Sequence, residues 1–102
     1  MTKFRVTVDA DLEPIMGRYF EIQMRELTAM EQAIASGDGE TTRQLGHKLK
    51  GTGTSYGFAR LTELGAAIEI AGKADELDQA KELVFQVRSY LENVDIIFKE
   101  MG

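Results

Sequence analysis

The chain has 102 residues, 43% hydrophobic and 28% charged, which suits one soluble domain with a single modest core. Its net charge of −5 disfavours nucleic acid, and the basic residues are scattered apart from a small group near His47. The chain contains no cysteine, which excludes disulfide and thiol chemistry and fits a reducing compartment. With one histidine and no EF-hand spacing, no metal site is expected. No apolar run approaches the roughly 20 residues of a membrane span, and the opening MTKFRVTVDAD lacks the apolar core of a signal peptide. A monomeric cytoplasmic protein with no membrane partner is the expectation.

The first ten residues read as an extended tail. KFRVTV alternates like a strand but has no evident partner. A helix is predicted from Asp11 to Ser36, with Pro14 in its first turn and Gly17 marking a bend after a short leading helix. SGDGE then stops it. A second helix starts near Glu40 or Thr41 and ends by Tyr56 or Gly57. A third spans Phe58 to Ala71, and Gly72 and Asp75 bracket the next turn. The fourth is predicted from Asp75 to Lys99, where Leu77, Ala80, Val84, Val87, Leu91, Val94 and Phe98 keep a near-heptad spacing. Four amphipathic helices with short connectors predict an all-α, antiparallel up-and-down four-helix bundle with a short leading N-terminal helix.

The single histidine lies in LGHKLKGTGTSYG, residues 45–57. At about 100° per residue, Leu45, Leu49, Thr52 and Tyr56 fall opposite His47, and Arg43, Gln44, Lys50, Gly51 and Thr54 fall beside it. The imidazole therefore points to solvent among cations. A glycine inside a helix costs about 0.5–1 kcal/mol relative to alanine. Close approach of another molecule gives a reason to keep Gly51, and Lys50 can set an ammonium beside whatever the imidazole receives. A phosphoryl group, small and highly charged, fits such a place. An exposed histidine on a lysine-bearing helix can equally carry no role. The segment is not a phosphate-binding loop, because Lys50 precedes Gly51 and no strand leads into it. Nor do the glycines have dinucleotide-fingerprint spacing.

GHKLKGTGTSYGFARLTELGAAIE, residues 46–69, closely resembles the histidine-containing phosphotransfer (HPt) domain. The family pattern of His, x, x, Lys, Gly, a later Gly, and a Leu-rich helix ending in an acidic or amide residue is met by His47, Lys50, Gly51, Gly57, Leu61 with Leu64, and Glu69. Gly46 stands where the family often has alanine, and Tyr56 where it tends to have an aliphatic residue.

The resemblance implies that neutral His47 attacks the aspartyl-phosphate of a response-regulator receiver domain and passes the group to another receiver. Mg²⁺ would come from the receiver, and the chain itself would need no cofactor. It implies that Lys50 steadies the phosphoryl oxygens and that Glu69 hydrogen-bonds the second imidazole nitrogen, fixing its tautomer. Lys73 would be a second cation or an ordinary helix-end charge. Arg43, Gln44 and Thr54 would line the docking face. Leu12, Ile15 and Met16 are candidates for its apolar part, against their serving as core. No autonomous kinase or phosphatase activity is expected. Two other readings are open: the phosphoacceptor domain of a chemotaxis-type sensor kinase, labelled by a histidine kinase with ATP, and a non-catalytic helical interaction or dimerisation module, suggested by the heptad spacing of the fourth helix.

Overall fold

The computed structural model describes residues 4–100. Strand β1 (Phe4–Asp9) leads through a 3₁₀ turn (Ala10–Leu12) into helix α1 (Glu13–Ala35), followed by α2 (Gly39–Tyr56), α3 (Ala59–Lys73), α4 (Leu77–Asn93) and strand β2 (Val94–Lys99). The described residues are thus mostly helical, four helices and one strand pair, compatible with a helical bundle. Each helix packs on the next, and α4 returns to α1.

Local chemistry sets the helix ends. Asp9 accepts from Asp11 N at 2.9 Å and turns the strand into the first helical turn. Pro14 sits in the first turn of α1. Gly37 takes φ 75°, and Asp38 then caps α2 by accepting from Thr41 N at 3.0 Å and Thr41 Oγ1 at 2.6 Å. Those bonds, the hydroxyl's first, hold the Asp38 carboxyl below its usual range. Gly57, at φ 82°, closes α2 while Phe58 N donates to Gly53 O at 2.8 Å. Asp75 does the same work after α3 at φ 58°.

Three expectations change. α1 runs unbroken through Gly17, and the expected leading helix is only the 3₁₀ turn. The buried stripe of Met16, Tyr19, Gln23, Leu27, Met30 and Ala33 carries the helix across that glycine. The fourth helix stops at Asn93 rather than Lys99, and residues 94–99 form a strand. Finally, residues 4–9 are not an unpartnered tail, since β1 pairs with β2 in parallel, Phe4 opposite Val94 and Asp9 opposite Lys99. β-branched Val94, Ile96 and Ile97 favour this extended conformation. Phe4, Val6 and Val8 with Val94, Ile96 and Phe98 pack toward the core, and the register sets Arg5 opposite Asp95.

The core joins Leu27 and Met30 of α1, Leu49 of α2, Leu61, Leu64 and Ile68 of α3, and Val84 and Val87 of α4 around Phe58. Tyr19 stacks between Tyr56 (4.2 Å) and Phe58 (5.4 Å), and Phe4 of β1 meets Tyr90 at 5.0 Å. Between α2 and α3 the packing is different in kind: Gly39, Gly46 and Gly53 face α3, and Gly65 and Gly72 face α2, so backbone lies against backbone.

Candidate functional site

Helix α2 turns Leu49 inward and leaves His47 on the outer face with 65% of its side chain exposed. That placement is the one expected from helical geometry. Across the α2–α3 seam, His47 Nδ1 lies 2.8 Å from Glu69 Oε2, and Lys50 Nζ donates to Glu69 Oε1 at 2.7 Å. One carboxylate thus joins the imidazole and the ammonium. An ionised carboxylate only accepts, so the proton of the neutral ring belongs on Nδ1 and the Nε2 lone pair is left free. The Glu69 carboxyl is held below its usual range, first by the bond from Lys50 and then by the bond from His47, against partial desolvation. It therefore remains an acceptor throughout the neutral range.

The cation near His47 is not idle. Lys50 is one turn along the helix and bonded to Glu69, and two of its three N–H donors remain for another acceptor. A Cβ built on Gly51 would meet nothing within 4 Å, so its face is open to a visitor. Helix packing gives no reason for a glycine there.

The remaining expected residues divide. Arg43 is tied to Glu40, Nη2 to Oε1 at 2.6 Å, and Gln44 also donates to Glu40. That pairing, the hydrogen bond foremost, raises the Arg43 guanidinium further above its ordinary value. Thr54 turns toward α3, donating to Lys50 O at 3.1 Å and meeting Thr62 Oγ1 at 3.1 Å. Lys73 is exposed and shares a shallow groove with Arg43, Glu69 and Ile70, rather than contacting His47. Of the apolar docking candidates, Met16 is buried in the core at 5% exposure and offers no surface to a partner. Its place on the inward stripe of α1 beside Tyr19 is the reason. Leu12 is half-buried against the core, and Ile15 remains 45% exposed.

Sequence reasoning missed two features. Ile70, next to Glu69 on α3, is 68% exposed, the kind of apolar tip that a docking face uses. The helical period carries the signal: Ile68 shares the buried side of α3 with Leu61, Leu64 and Ala71, and Ile70, about 200° away from Ile68, falls on the outer side. The glycine seam has a signal too: Gly39, Gly46 and Gly53 recur every seven residues, as do Gly65 and Gly72.

Among the described residues no group of three His, Cys, Asp or Glu side chains could hold a metal ion, and no helix is long and apolar enough to cross a membrane. No curated protein and no solved structure matches the chain. A family model for the Hpt domain matches residues 15–96, which takes in all of α2, α3 and α4 and nearly all of α1. An exposed imidazole oriented by a carboxylate, with an ammonium and an open glycine beside it, is thus set in a chain that belongs to the Hpt domain family, whose members carry out histidine phosphotransfer in phosphorelay signalling.

Proposed function

We propose that His47 accepts a phosphoryl group from the aspartyl-phosphate of a receiver domain and hands it to the aspartate of another. The observation that carries this is the hydrogen bond from His47 Nδ1–H to Glu69, which aims an unprotonated Nε2 at solvent. In the transfer, the Nε2 lone pair attacks phosphorus, an N–P bond forms, and the P–O bond to the aspartate breaks with the electron pair leaving on its carboxylate. The ring keeps its Nδ1 proton and gains positive charge, which the Glu69 carboxylate beside it offsets. Lys50, already anchored by Glu69, can turn its free N–H groups toward the phosphoryl oxygens. Mg²⁺ would enter with the receiver. Return to a second receiver reverses the same bonds. Docking would use the open surface at Gly51 with Ile15 and Ile70, a small area suited to a transient partner.

We read the helices as an antiparallel up-and-down bundle. Pairs of contacts support this: Tyr19 with Tyr56 and Glu26 with Lys48 between α1 and α2, Gly46 with Gly65 and Gly53 with Thr62 between α2 and α3. Rising numbers on one helix meet falling numbers on the next.

A second reading, a phosphoacceptor domain acting under a sensor kinase, is equally compatible with the carboxylate on the imidazole. The structural-module reading loses its support, because Ala80, Val84, Val87 and Leu91 of the heptad face are buried in the chain's own core.

The test is to incubate the protein with a phosphorylated receiver domain and, separately, with a sensor kinase and ATP, then score acid-labile, base-stable label. Label from the receiver, lost in His47→Gln, supports the relay. Label from the kinase alone moves the assignment to the second reading, and label that persists in His47→Gln refutes both.

A further inference from the structure

The bonds of the site span two helices, so their lengths depend on how far apart α2 and α3 lie. Two glycines set that separation at the level of His47. A Cβ on Gly46 would sit 2.5 Å from Glu69 N, 2.9 Å from Gly65 O and 3.0 Å from Glu69 Cα. A Cβ on Gly65 would collide with Lys50 N and sit 2.8 Å from Gly46 O and 2.9 Å from Lys50 Cα. All these neighbours are backbone, which cannot yield unless a helix moves. Four of the six belong to Glu69 and Lys50, the two residues bonded to each other at the site. The bonds at 2.8 and 2.7 Å have little slack, and a displacement of about 1 Å carries either one past hydrogen-bonding range.

We propose that Gly46 and Gly65 are positioning residues for the phosphotransfer site. Neither touches the reacting atoms. Together they hold α2 and α3 at the separation where, in this chain, the Glu69 carboxylate bridges His47 Nδ1 and Lys50 Nζ; the alanine that the family often has at position 46 would here meet Glu69 N and Gly65 O. The inference rests on the relay role proposed for His47, but its first readout is the state of the ring itself.

Long-range ¹H–¹⁵N spectra of neutral His47 in the unphosphorylated protein should show one tautomer, protonated on Nδ1. Gly46→Ala and Gly65→Ala should each give a mixture of tautomers and label from a phosphorylated receiver about tenfold more slowly. Glu69→Asp withdraws the carboxylate by one methylene without touching the helix seam. It should have the same two effects, and if the alanine variants do not fold, a Glu69→Asp variant that keeps both still overturns the proposal. Val84→Ala opens a cavity in α4, away from the seam, and should lower the melting temperature with the tautomer intact. The proposal is overturned if the wild-type ring shows no tautomer preference, if folded alanine variants keep the wild-type tautomer and rate, if Glu69→Asp keeps both, or if Val84→Ala loses the tautomer as fully as they do. A wild-type protein that shows the Nδ1 tautomer, loses it in these variants and yet takes no label would refute the relay role while supporting the positioning role.

Discussion

The seam between α2 and α3 and the seam between α1 and α4 are built from different materials. α2 meets α3 through glycine backbone, with polar bonds at the rim joining His47, Lys50 and Glu69. α1 meets α4 through side chains, with Leu27, Met30, Val84 and Val87 in the core and Glu31 bonded to Arg88 at 2.8 Å. Side-chain packing can relax around a lost methyl group, whereas two backbones in contact cannot. The α2–α3 seam therefore fixes a distance, while the α1–α4 seam contributes side-chain burial to the shared core. Function and stability should then separate in variants of the two seams.

The sharpest break in that comparison is His47→Gln, expected to abolish labelling while the melting temperature stays within about 2 °C of wild type, because the side chain is exposed. Next is Leu27→Ala in α1, fully buried. It should cost about 2–5 kcal/mol in denaturant unfolding yet leave the labelling rate per folded molecule unchanged. Third is an alkaline effect at Tyr19. Its hydroxyl is buried, and burial foremost, opposed by the neighbouring Thr52 side chain, pushes its pKa up to about 12. A raised pKa gives stability that is whole below the unfolded value near 10 and is lost as pH rises through the folded value. The wild-type protein should thus lose about 2–3 kcal/mol between pH 10 and 12 beyond what Tyr19→Phe loses, as read by unfolding at each pH. Fourth, Glu69→Ala should slow labelling about 10–100-fold with little change in melting, the reverse of the Leu27 pattern. The smallest effect belongs to the strand pair, where Phe4→Ala removes a ring from Tyr90 and should cost about 1 kcal/mol with labelling untouched.

What was legible in the sequence follows from how local each cause is. The stops at SGDGE and Gly57 and the turn around Asp75 lie within a few residues of the helices they end, and all three are where they were expected. The exposure of His47 follows from the period of one helix. The bond from His47 to Glu69 crosses two helices, and only the family resemblance pointed to it. β2 escaped notice because Val94 and Phe98 satisfy the four-residue spacing of a helix and the two-residue spacing of a strand equally well. Its partner also lies at the opposite end of the chain, Phe4 against Val94. Met16 reads from the sequence as docking face or core alike, because spacing alone does not say which neighbour an apolar residue meets. The seven-residue glycine spacing was visible but reads as helix weakness until a second helix is laid against it.

The most direct test of the central claim is ¹H–¹⁵N and ³¹P spectroscopy of the protein after phosphorylation by a receiver. The account predicts one phosphoryl group on His47, bonded to Nε2, with the proton still on Nδ1. A phosphoryl group on Nδ1, or on any other residue, would contradict it.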